Sequence, residues 1–122
     1  MAKSSSRTAL RLRLMHGDRV AMGPGKAELL ECIRETGSIS AAGRRMQMSY
    51  KRAWQLIEEM NACFRVSLVE ASRGGRGGGG ARLTPIGADV LERFRRIEQA
   101  CAEVGRDDLA SIRHQLERTT HT

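Results

Sequence analysis

Apolar residues recur along this chain with two different periods, and the switches between them mark out its elements. Thr8-Ala9-Leu10-Arg11-Leu12-Arg13-Leu14 alternates, with Leu10, Leu12 and Leu14 on one side, which is the period of a half-buried strand. Gly17-Asp18 supplies a turn, and Arg19-Val20-Ala21-Met22 returns as the second strand of a hairpin. The period then lengthens. Gly23-Pro24 starts a helix, with proline at the first helical position. Its apolar stripe is Ala27, Leu30 and Ile33, flanked by Leu29 and Cys32, and it stops at Thr36-Gly37. Ser38 or Ser40 can cap a short helix through Ala41-Ala42-Gly43 to Met46. Gln47-Met48 is a tight connection, and Ser49 caps a longer helix from Tyr50 to about Asn61. On that helix Ala53, Leu56, Ile57 and Met60 share one face, while Ser49, Lys51, Arg52 and Gln55 fall mostly on others. Two short helices in close succession, with small residues where they must approach, predict a helix-turn-helix.

Further on, Val66-Ser67-Leu68-Val69-Glu70 reads as a strand, and Arg82-Leu83-Thr84-Pro85 as a short strand running into a helix. Thr84 caps that helix and Pro85 opens it. Between the strands lies the run from Ser72 to Arg82, which holds six glycines with Arg73, Arg76 and Arg82. Glycine loses the most backbone entropy on ordering, so this run predicts a flexible cationic loop suited to an anionic surface. The helix from Pro85 carries Ile86, Val90, Phe94, Ile97, Cys101 and Val104, the narrow seam of a coiled-coil-like contact. Gly105 breaks the phase, and Asp107 can cap a last helix bearing Leu109, Ile112 and Leu116. The seam is longer than one small core needs. It predicts a homodimer contact, the alternative being packing within its own chain. Residues 1–7 and 118–122 are expected to be disordered tails. They flank one domain, 8–117, whose C-terminal helices, about 85–117, carry the dimer contact.

Composition sharpens the choice of partner. The 122 residues suffice for one independently folding domain. With four aromatics (Tyr50, Trp54, Phe64 and Phe94), its core must come from Leu, Ile, Val, Met and Ala. Twenty-one Lys and Arg against fourteen Asp and Glu leave a net charge of +7, which favours a polyanion, nucleic acid before membrane. The plainer alternative is a solvated basic surface. All but three of the cations are arginine, the better fork for phosphate and guanine. After Met1-Ala2-Lys3-Ser4-Ser5-Ser6-Arg7 there is no apolar run of the roughly 7–15 residues a signal peptide uses. No stretch approaches the ~20 apolar residues of a membrane helix. Cys32, Cys63 and Cys101 are odd in number and lack CxxC spacing. They read as small buried hydrophobes in a reducing cytoplasm, with no metal or cofactor expected and a redox-sensing role as the alternative.

An enzyme is the remote alternative, with the glycine loop cradling a nucleotide phosphate. The loop lacks the Gly-Lys-Ser/Thr ending of a P-loop and leads into a strand before any helix. His16, His114 and His121 are scattered toward the chain's ends, and no nucleophile–base set has motif spacing. The order helix, helix-turn-helix, basic-tipped hairpin is instead that of a winged helix: mainly α with small β-hairpins and a long C-terminal dimerisation helix.

Within that frame the residues form a recognisable set. Gly37-Ser38-Ile39-Ser40 is followed by Ser49-Tyr50-Lys51-Arg52-Ala53-Trp54, with Ile57 and Glu59-Met60-Asn61. Then come Leu68-Val69-Glu70, the glycine wing, and Leu83-Thr84 with Gly87. Together they resemble the N-terminal DNA-binding domain of ModE-type molybdate-responsive transcriptional regulators and, more distantly, the LysR-type winged helix. The resemblance covers residues 8 to about 117. It implies a double-stranded DNA partner and the regulation of molybdate-transport or molybdenum-enzyme genes. The C-terminal oxyanion-binding modules of such regulators have no counterpart in residues 85–122, so molybdate binding by this chain is not expected.

In a helix-turn-helix the second helix enters the major groove with its N-terminal residues toward base edges. That places Ser49, Tyr50 and Lys51 at the reading end, with Arg52 and Gln55 in reach. Lys51 or Arg52 suits guanine O6/N7 and Gln55 suits adenine N6/N7. Ser49 has a cap as its alternative role, and Tyr50 has packing on the neighbouring helix. Trp54 reads as a partly buried support. Arg73, Arg76 and Arg82 fit a minor-groove or backbone role on the wing. Ser38, Ser40 and one of Arg44 and Arg45 fit backbone phosphate. A weakly specific architectural DNA binder and a protein-interaction module are the rival readings among binding proteins.

Overall fold

The computed structural model describes residues 9–72 and 80–116, which form five helices and two separate hairpins. The predicted tails at 1–7 and 118–122, and Arg73 and Arg76 with their glycines, lie outside the described residues.

The first hairpin pairs β1 (Leu14–His16) with β2 (Arg19–Met22) around the Gly17-Asp18 turn, where Gly17 takes a φ of 65°. This is shorter than the alternation at 8–14 predicts. Because Gly23 and Pro24 convert the chain to helix immediately after Met22, β2 has only four residues to offer, and residues 9–13 have no strand to pair with. Leu10 is consequently exposed and Leu14, paired within β1, is exposed as well, while Leu12 packs against the core.

α1 (Pro24–Thr36) follows, closed by Gly37 in the left-handed region, whose N–H bonds Ile33 O at 2.8 Å. Ser38 caps α2 (Ile39–Arg45), accepting from Ala41 N at 3.0 Å, so of the two candidate serines it is the first that caps. Ser49 caps α3 (Tyr50–Cys63), accepting from Arg52 N at 3.0 Å. The turn between these helices is tight. Gln47 takes a φ of 60°, uncommon outside glycine, and a Cβ added at Gly43 would sit 3.3 Å from Met48 O and 3.5 Å from the Ala53 side chain.

The second hairpin pairs β3 (Val69–Ser72) with β4 (Gly80–Leu83), antiparallel, from Val69 opposite Leu83 to Ser72 opposite Gly80. It starts three residues later than the apolar run at Val66 predicts. Asn61, near the end of α3, accepts the N–H groups of Leu68 and Val69 and donates to Val69 O, so the chain is committed to the helix end before it can pair. Val66 is left exposed.

Thr84 caps α4 (Pro85–Val104), and α5 (Arg106–Gln115) follows across Gly105. Asp107 is not the cap of α5; it sits in the first turn, where its charge still suits the helix dipole, and Gly105 holds the cap position without a side-chain bond. The core joins Met22 of β2, Leu29, Leu30 and Ile33 of α1, Ile57 and Met60 of α3, Leu68, and Leu91 of α4. Each such side chain contributes about 1.5–3 kcal/mol by leaving water. This is the sparsely aromatic core the composition predicts. Where α4 crosses the root of β3 the fit is so close that a Cβ at Gly87 would lie 2.1 Å from Leu68 O.

Candidate nucleic-acid interface

The face of α3 opposite the core is where sequence and structure meet. Ala53, Ile57 and Met60 are fully buried, which fixes the rotation of the helix about its axis. Ser49, Tyr50, Lys51, Arg52 and Gln55 are thereby turned to solvent. Tyr50 is half exposed at 51%. Trp54 is partly buried against the core and serves as support. Ser49 acts as the cap, and the unpaired amides of the first turn add partial positive charge beside Lys51 and Arg52. Arg52 and Gln55, one turn apart, lie 3.5 Å apart between Nη1 and Oε1, the outer limit of a hydrogen bond.

The backbone candidates divide. Ser38 is occupied as the α2 cap, and Ser40 is exposed. Arg44 and Arg45 are both exposed, and Arg45 pairs with Glu35 of α1. Arg82 pairs across the strands with Glu70, Nη2 to Oε1 at 3.1 Å, with the arginine side chain 80% exposed. Sequence reasoning saw these arginines but not their carboxylate partners, because cross-strand register and the α1–α2 angle decide both pairs.

Two further groups were hidden from motif reading. The root of the second hairpin is tied to the helix-turn-helix by Ala81 N bonding Gly37 O at 3.0 Å and by the three Asn61 bonds to residues 68 and 69. Lys26, nearly buried, bonds Val20 O at 3.0 Å and Glu59 Oε1 at 3.4 Å, so it joins β2, α1 and α3. Asn61 and Gly87 did stand in the sequence as motif residues, without a role attached.

The seam on α4 splits. Phe94 is buried in its own chain's core and Val90 packs against it, whereas Ile86, Ile97 and Val104 are exposed and Cys101 is half-buried. Ile112 and Leu116 at the end of the chain's helical part are exposed as well. Between α4 and α1, Arg95 Nε lies 2.8 Å from Glu31 Oε2, and its Nη1 lies 2.7 Å from Glu98 Oε1. The Arg95 guanidinium beside Glu31 holds that carboxyl below the usual glutamate range, and the two carboxylates raise Arg95 in turn. Of the three cysteines, Cys32 is buried, and burial pushes its thiol up, away from reactive thiolate. Among the described residues no group of three or more His, Cys, Asp or Glu is placed to hold a metal, and no helix is long and apolar enough to cross a membrane.

A helix-turn-helix whose second helix offers a capped, cationic first turn, followed by an antiparallel strand pair tied to its base, defines a winged helix-turn-helix DNA-binding domain. Residues 25–88 match the family described as bacterial regulatory helix-turn-helix protein, lysR family, and the chain belongs to it. The DNA-binding domain of CbnR, solved with DNA, superimposes with a TM-score of 0.56 at 26% identity, over 72% of this chain and 95% of that one. Among curated proteins, the molybdenum-pterin-binding protein MopB of Rhodobacter capsulatus is 42% identical over 83 residues, 68% of this chain and 31% of its own. The DNA-binding transcriptional dual regulator ModE of Escherichia coli K12 is 40% identical over 88 residues, 70% of this chain and 34% of its own. The chain thus spans about a third of the length of these relatives.

Proposed function

We propose that this chain is a sequence-specific double-stranded DNA-binding transcriptional regulator. On this reading it is a homodimer through α4 on an inverted-repeat operator, serving molybdate-transport or molybdenum-enzyme genes. The observation that carries the reading is the outward face of α3, where Tyr50, Lys51, Arg52 and Gln55 stand exposed over a buried Ala53–Ile57–Met60 stripe. The names of the similar proteins, ModE and MopB, support the molybdenum context. Lys51, Arg52 and Gln55 read bases, with Tyr50 on a thymine methyl or a phosphate. Arg44, Arg82 and the wing arginines Arg73 and Arg76 supply backbone or minor-groove contacts. The similarity to transcriptional regulators supports a binding role for this chain in place of an enzymatic one.

Selection of duplexes from a random pool tests this. The parent should return an inverted repeat, its half-sites one helical turn or a multiple apart. Lys51→Ala and Gln55→Ala should shift the selected sequence, at about 1–3 kcal/mol per lost bidentate contact. Recovery of the parental consensus by both variants would remove α3 from base reading. Neutralising Arg73 with Arg76 should instead weaken all sequences alike and flatten the salt slope by about 0.9 per lost phosphate contact.

A further inference from the structure

α4 is anchored unevenly. Its buried residues, Gly87, Leu91 and Phe94, all lie in its first half. From Arg95 to Val104 the helix runs on for about 13 Å. Along that length Glu98, Gln99, Cys101 and Ala102 share a groove of about 390 Å³ with Leu109 of α5 and with Ala9, Leu10 and Leu12. The directional bond from the distal half of α4 to α1, among the described residues, is that of Arg95 to Glu31. One fork arm reaches Glu31 on α1, sixty-four positions away in the chain, and the other reaches Glu98 on the next turn of α4. All three side chains are between 25% and 34% exposed, sheltered enough to hold one geometry.

We infer that Arg95 is a positioning residue which, through Glu31, adds to the core packing of Gly87, Leu91 and Phe94 in holding α4 against the DNA-reading unit, and so narrows the half-site spacing the dimer accepts. The inference rests on the dimer reading proposed above. α1 supports the helix-turn-helix directly, so the tether joins the dimer helix to the element that carries α2 and α3.

The experiment uses the full chain with Arg95→Met, which keeps the apolar stem, Glu31→Gln, and the conservative Arg95→Lys. Each is titrated against duplexes carrying the two selected half-sites at spacings stepped by single base pairs, and against a duplex with one half-site. The parent's preference for its best spacing over its neighbours should fall from about tenfold to about threefold or less in Arg95→Met and Glu31→Gln. Single-half-site affinity should stay within about twofold, and Arg95→Lys should keep most of the preference. Variants that keep the parental spacing profile overturn the inference and leave the dimer standing. Loss of single-half-site affinity in step with spacing preference makes Arg95 a stability residue and also overturns it. A parent that binds as one protomer and ignores spacing overturns the dimer reading and this inference with it.

Discussion

Gly87 shows how a single position can be legible as a motif and opaque as physics. In the sequence it closes the Leu83-Thr84 string; in the fold it is where α4 rides on the backbone of Leu68, with no room for a methyl group. The obstacle is a carbonyl already accepting from Thr84 N, so it cannot swing aside cheaply. Gly87→Ala should therefore cost about 1–3 kcal/mol or more, read as a lowered urea midpoint, although alanine favours helix. An unchanged midpoint would mean that the crossing relaxes freely. Glu70 poses a different question. It holds Arg82 in an exposed pair worth no more than about 1 kcal/mol, so phosphate can displace it, yet its charge opposes DNA. Glu70→Gln should tighten binding to a non-specific duplex a few-fold and steepen its salt dependence. Identical slopes for variant and parent would take Arg82 off the interface.

Elements were legible where their determinants are local. Pro24 and Gly37 bound α1, Ser38 and Ser49 cap α2 and α3, and Thr84-Pro85 opens α4, each by bonds within a few residues. Strand limits were not local. β1 ends up at Leu14–His16 because of the length of β2, and β3 starts at Val69 because Asn61 claims the backbone before it. The α1–α4 tether also belongs to this scale and carries a pH signature. Glu31 has a lowered pKa when folded, so its contribution is present above the unfolded carboxylate range and is lost as pH falls through the folded one. Glu31→Gln should then destabilise the domain by up to about 1 kcal/mol at neutral pH, with the difference from the parent vanishing in acid. Paired urea melts at both pH values measure it; a difference that persists below the carboxylate range would assign the loss to packing.

At the scale of the molecule, the seam on α4 divides: Phe94 and Val90 complete the chain's own core, and Ile97 and Val104 remain exposed on its flank. If that flank is the dimer contact, the parent should sediment as a dimer at micromolar concentration and Ile97→Glu as a folded monomer. A monomeric parent would instead leave the exposed seam unexplained by self-association. The sequence by itself determined the order of elements, the two capped helices of the reading motif, the identity of the exposed cations and the kinship those residues carry. These follow from caps, turns and periods, which act over a few residues. Only the tertiary structure decided how long the strands run, which half of the α4 seam is covered, that Glu35 and Glu70 hold Arg45 and Arg82, and that Arg95 reaches Glu31. Those depend on how whole elements pack and pair with one another, which no local pattern encodes.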